Sequence, residues 1–178
     1  MKQAQTRRWL RQWAGGFLGS VLWLSAGLGA SGVHGNRVLI QGRAGYIVQT
    51  ALTGAQKRLA HPACAGLLNE FQASDGAPLA ERVTGLSLTP PEYLGTLWFT
   101  DADNLKRCHA IGGPIAFTAP GHTVVFVCAE HFIRMYERNA AYAEVLLIHE
   151  MLHAAGLGEN PPTSDHISQV AMARCSAA

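Results

Sequence analysis

Two histidines four positions apart, with a glutamate beside the first, carry the clearest chemical content of this chain: His149-Glu150-Met151-Leu152-His153. On an α-helix, positions i and i+4 share a face, so both imidazoles can reach one metal ion. Neutral imidazole nitrogens bind zinc at about 2.0–2.1 Å, and a fourth position left open holds a water whose pKa the ion lowers to about 7. Glu150 is placed to take that water's proton and hand it to a leaving group. The pattern therefore implies hydrolysis assisted by one zinc ion. With eight histidines and eight glutamates in 178 residues, composition alone would produce it in roughly one to two chains per hundred.

The elements around the motif must form a helix with a buried flank and an open face. Ala140 to Ile148 is strongly helix-compatible, Asn139 is a good N-cap, and Gly156 stands where a helix should stop. Leu147 and Met151 make one apolar line and Ile148 and Leu152 another, so the flanks bury while the histidine face borders a cleft. A core helix that merely contains two histidines is the competing reading. It is disfavoured because two imidazoles and a carboxylate are costly on so apolar a helix unless something satisfies them.

Upstream, Leu97–Thr100, Pro114–Thr118 and Thr123–Cys128 are short, aromatic or β-branched, and bounded by Asp, Asn, Gly and Pro, which predicts three strands. Ala119 to His122 joins the last two as a hairpin loop, and Thr123 to Val127 is the expected edge on which an extended peptide could add. His131 to Arg138 reads as a short helix. The half before residue 96 is helical in pattern: a strand or turn at Arg37–Ile40, a helix over Tyr46–Leu59, a helical stretch from Cys64 to Phe71, and short helices at Leu79–Val83 and Pro91–Leu94. A last helix over Asp165–Arg174, capped by Thr163 or Ser164, turns Ile167, Val170 and Ala171 to the core. The fold class is α+β: a short, mostly antiparallel sheet plus the active helix over about 96–178, with a helical part over about 44–95, all one domain from 33 to 178.

Three strands, a helix bearing metal histidines and a sharp turn at Gly156 resemble the catalytic half of the zincin metallopeptidases. The run from His149 to Glu159 is similar to the His-Glu-x-x-His-x-x-Gly-x-x motif of the metzincins, which is followed by a third ligand. Most of that clan place a histidine there and the small snapalysin-like peptidases an aspartate; here it is Glu159, and zinc accepts carboxylate oxygen at about 2.0–2.2 Å. Gly156 explains the spacing, because a residue free to take positive φ ends the helix and lets the chain double back under the metal. Asp165 and His166, beyond Asn160-Pro161-Pro162, are alternative ligands. Metzincins also have a methionine turn, whereas Met172 falls in a helical pattern and reads as core. The resemblance implies a zinc-dependent metallopeptidase acting on peptide or protein, with Glu150 as general base and His149, His153 and Glu159 as ligands. A non-catalytic zinc-binding structural or adhesion module, or a metallohydrolase of a non-peptide amide, are the alternatives. Tyr93, Tyr136, Tyr142, His122 and His131 remain open as supporting donors, and the helical half could cover the cleft as a regulator.

Residues 1–32 have a basic lead of Lys2, Arg7, Arg8 and Arg11 and an apolar run from Trp13 to Ala30, which reads as an export signal, with an uncleaved membrane anchor as the rival. The paired Arg7 and Arg8 allow a twin-arginine signal, though an ordinary secretory one serves as well. All twelve acidic residues but only ten of the fourteen basic ones lie beyond residue 36, giving residues 37–178 a net charge of −2. With no basic stripe, nucleic-acid binding is set aside. Cys64, Cys108, Cys128 and Cys175 suggest two disulfides in an exported, periplasmic or secreted protein. Three connectivities are possible; Cys64–Cys108 with Cys128–Cys175 is the expected pairing, which would bracket the active helix. None of the cysteines has a second thiolate at metal-ligand spacing. The protein is expected to act as a monomer.

Overall fold

The computed structural model describes residues 37–177, so the export signal or anchor read at residues 1–32 lies outside the described region. Four strands, β1 (Arg37–Val38), β2 (Trp98–Asp101), β3 (Ala116–Phe117) and β4 (Val124–Val127), form one sheet. The helices are α1 (Gly42–Leu59), α2 (Pro62–Ala65), α3 (Leu79–Thr84), α4 (Pro90–Thr96), α5 (Ala129–Arg138), α6 (Ala140–Ala154) and α7 (Ser164–Cys175). The α+β class expected from the sequence is what the chain adopts, with its N-terminal half helical. Between Cys64 and Phe71 the expected helical stretch is broken up: after α2 the chain tightens into a 3-10 turn over Gly66–Asn69.

Strand order is β1-β2-β4-β3, and it corrects two expectations. The sheet is mixed rather than mostly antiparallel: β1 with β2 and β2 with β4 are parallel, and only β3 with β4 is antiparallel. The hairpin links β3 to β4 alone, while the long connection from β2 through β3 to β4 permits a parallel pair. Consequently β4 is interior, and the edges of the described sheet are β1 and β3 rather than Thr123–Val127. An interior strand should be apolar on both faces, and Val124-Val125-Phe126-Val127 is: Val125 and Val127 are buried in the main core, while Phe126 stacks on Phe117 at 5.2 Å between centroids.

The main core lies where α1, α6 and α7 meet the sheet. In α1, Ile47, Val48, Ala51, Leu52, Ala55 and Leu59 recur at helical spacing and are all buried. Helix α6 is apolar nearly all round and buried continuously from Leu147 to Ala154, as a central helix must be. Helix α1 approaches α6 at Gly54, where a Cβ would stand 2.3 Å from the carboxyl carbon of Glu144. That space lets Glu144 meet Arg58, with Nε to Oε2 at 2.7 Å. The same guanidinium donates to the carbonyls of Cys175 and Ser176 at 2.7 and 2.8 Å, a favourable place for a cation at the C-terminal end of α7.

Both disulfides form, but between different partners from those expected: Cys64 with Cys175 and Cys108 with Cys128. The parallel register explains the second. Asp101 lies opposite Val127, and Ala102 N donates to Val127 O, so the chain leaving β2 runs beside Cys128. Helix α2 packs on α7, which brings Cys64 to the end of the chain. Two disulfides fit an oxidising, exported environment. Among the described residues no helix is long and apolar enough to cross a membrane.

Candidate metal centre

The His149–Glu159 segment is positioned by the two ends of α6. At its start, Asn139 accepts a hydrogen bond from the Tyr142 amide at 3.0 Å. At its end, Gly156 adopts φ +110°, with Gly156 N bonded to His153 O at 2.8 Å and Leu157 N to Leu152 O at 3.0 Å, the pair of bonds that defines a Schellman stop. Space also demands glycine there, since a Cβ would lie 3.1 Å from that of Ala73. The turn delivers the Leu157 carbonyl to His153 Nδ1 at 2.8 Å. A carbonyl only accepts, so Nδ1 carries the proton and Nε2 keeps its lone pair.

His149, His153 and Glu159 come together with one ligand atom each, all within 4.8 Å of one another. His149 Nε2 and His153 Nε2 are 3.0 Å apart, and His153 Nε2 is 3.3 Å from Glu159 Oε1. Ligand bonds of zinc length at tetrahedral angles would place donors about 3.3 Å from each other; the two spacings that involve His153 are close to that, and the group as a whole, within 4.8 Å, could hold one ion. Outer contacts complete the fit: Leu157 O fixes the His153 ring, and Ser168 Oγ lies 3.0 Å from His149 Nδ1. The histidines are 3% and 4% exposed, while Glu159 is 42% exposed along its side chain. Without a metal, burial, with the neighbouring His153 adding to it, pushes His149 down to about 3, keeping the imidazole neutral and available as a donor.

Glu150 is 4% exposed, and its Oε2 has no hydrogen-bond partner among the described residues. Burial pushes its carboxyl up to about 8; the Thr118 backbone amide opposes this, Glu159 adds to it, and Arg107 opposes it weakly. The carboxyl opens on a cavity of about 450 Å3 lined also by His149, His153 and Glu159, by Ala116 and Phe117 of β3 and by Thr118 just after it. Gly121 N, in the hairpin loop after β3, donates to His153 O at 2.9 Å and ties that loop to the helix. A second cavity, of about 680 Å3, shares Glu159 and continues past Leu157 toward Phe71 and His166.

Of the residues singled out from sequence, His149, Glu150, His153 and Glu159 are brought together. Asp165 and His166 are not: both are exposed on the first turn of α7, where His166 meets the Phe71 ring edge-on. Neither His122, His131, Tyr93, Tyr136 nor Tyr142 lines the first cavity; His131 Nδ1 instead lies 3.4 Å from Pro114 O, and Tyr93 is buried in the core. Met172 sits in α7 against the core, as its pattern predicts. The helical half does not cover the cleft, since none of the described residues before Arg107 lines it. Two residues at the site carry no sequence signal: Ser168, nineteen residues from His149 with no telling spacing, and Arg107, one of two adjacent basic residues with no motif around them. No protein family, curated protein or solved structure matches the chain.

Proposed function

We propose that the protein is an exported zinc-dependent metallopeptidase of zincin type. One observation carries this reading: among the described residues a three-donor cluster shares a cleft with a buried carboxylate, one of whose oxygens is unpartnered, beside an unpaired strand edge. Zinc held by His149, His153 and Glu159 would supply a Lewis acid that acidifies water and polarises a carbonyl. Glu150 takes a proton from the attacking water at its free oxygen and returns it to the amine of the departing product. Its elevated proton affinity suits that exchange near neutral pH. The Thr118 amide orients the carboxylate, and the outer edge of β3 offers backbone donors and acceptors to an extended peptide. That edge favours peptide over other amides. A purely structural zinc site closes with four protein ligands, whereas among the described residues this cluster has three.

The test is metal content and peptide cleavage measured on the same purified samples. One zinc per chain is expected in the wild type and is lost in His153→Ala. Cleavage of a peptide pool should be chelator-sensitive and abolished in Glu150→Gln, which still binds zinc. Zinc without cleavage rejects the peptidase; no zinc rejects the metal centre.

A further inference from the structure

Among the described residues Arg107 is the one lysine or arginine lining the metal cleft, and it rests against Phe117 of β3. Its guanidinium carbon lies 4.5 Å from the centroid of the Phe117 ring. Among the described residues it has no carboxylate partner and no hydrogen bond, although arginine carries five N–H donors arranged for bidentate pairing. The residue is exposed, yet its backbone is held: it belongs to a 3-10 turn (Lys106–His109), and the next residue, Cys108, is buried and disulfide-bonded to Cys128 at the end of β4. A guanidinium resting on an aromatic ring, with no carboxylate partner among the described residues, is able to bind an anion supplied from outside. The other charged groups among the described lining residues, Glu150 and Glu159, belong to the metal centre, which leaves Arg107 as the side chain there able to pair with a carboxylate of the substrate.

We propose that Arg107 is a specificity residue that binds a carboxylate of the substrate, so that this cleft selects peptides carrying an acidic side chain or a free C-terminus near the bond placed over the metal; this rests on the reading of the cleft as a peptide site. Contact with Phe117 sets the guanidinium beside the outer edge of β3, where a peptide laid along that edge would project a side chain or terminus toward it. The pairing would also fix which way round the peptide lies, because backbone hydrogen bonds to a strand edge do not discriminate sequence.

The probes are blocked hexapeptides with Glu or Gln at each position in turn, each made with a free or an amidated C-terminus. Two readouts are taken on zinc-loaded protein: cleavage by the wild type, and anisotropy binding to Glu150→Gln, which should hold peptide without turning it over. Carboxylate forms should be favoured over their amide counterparts by about ten- to a hundredfold in both readouts, less at high salt. Arg107→Gln should bring the ratio close to one and Arg107→Lys should keep part of it. A preference that follows internal Glu assigns the site to an acidic side chain, and one that follows only the C-terminus assigns it to the terminal carboxylate. Equal handling of acid and amide, a preference that survives Arg107→Gln, or no binding of any probe overturns the proposal. Selective binding with no cleavage leaves Arg107 in place and rejects the peptidase, while cleavage without selectivity does the reverse.

Discussion

Two glutamates on one helix, six residues apart and both largely buried, have opposite surroundings. Glu144, with 15% of its side chain exposed, meets the Arg58 guanidinium at 2.7 Å, and Arg58 in turn holds the last carbonyls of α7. Glu150, at 4% exposure, has one oxygen without a partner among the described residues and faces a cavity. The first is a neutralised charge that joins three helices. The second is held in a state that neither burial nor its neighbours satisfy, which is costly unless the group has work to do. Burial by itself therefore separates nothing on α6; the partners do.

Exchanging each glutamate for glutamine should separate the roles. Glu150→Gln is expected to lower kcat/KM by about a thousandfold or more while zinc stays bound, since it removes the proton acceptor. Glu144→Gln should leave turnover and zinc content near wild type but cost about 2–4 kcal/mol of stability in denaturant melts, because the Arg58–Glu144 ion pair between α1 and α6 is then broken. If Glu144→Gln abolishes cleavage without destabilising the protein, the division fails.

Acid-base linkage gives a second contrast, measured on chelated protein. The folded-state pKa of Glu150, about 8, lies above its value of 4.5 when unperturbed. Between those values the folded state keeps a proton that the unfolded chain has released, so stability falls as pH rises through that window and levels off above it. His149, lowered from 6.5 to about 3, acts in the opposite sense and costs stability as pH falls below 6.5. Glu150→Gln retains the histidine effect and removes the other. Wild type should therefore lose stability relative to this variant from about pH 5 to 8, by on the order of a few kcal/mol. Parallel pH profiles for the two proteins would show that Glu150 does not hold the proton.

The smallest effect concerns the support of the cluster. Ser168→Ala leaves His149 Nδ1 without its contact and should weaken zinc binding by about tenfold in a chelator competition, with the melting temperature of the metal-free protein little changed. Unaltered affinity would mean that packing alone orients the ring.

Much of the candidate site is legible in the amino-acid sequence. Helix α6, its Asn139 cap and its Gly156 stop follow from capping chemistry and helical spacing within some twenty residues. The gathering of His149, Glu150 and His153 follows from the same periodicity. Glu159 joins them because Gly156 reverses the chain immediately after the helix, which is again local. Ser168 and Arg107 are not legible, for the complementary reason. Each reaches the site from a separate element, α7 in one case and the 3-10 turn before β3 in the other, and a single serine or arginine in sequence carries no mark of what it will touch. The disulfide pairing escapes the sequence for the same cause, since an even number of cysteines says nothing of which segments meet.

Periodicity, caps and turns act between residues a few positions apart, and they are enough to set the α+β class, the span of the reactive helix and the residues able to hold a metal. Long-range packing settled the rest: β4 is interior and β3 an edge, Cys108 joins Cys128 and Cys64 joins Cys175, Glu144 is paired while Glu150, among the described residues, is not, and Arg107 faces the cleft. Those outcomes depend on the parallel register of β2 with β4 and the packing of α7 on α6, contacts between distant segments that no local pattern encodes.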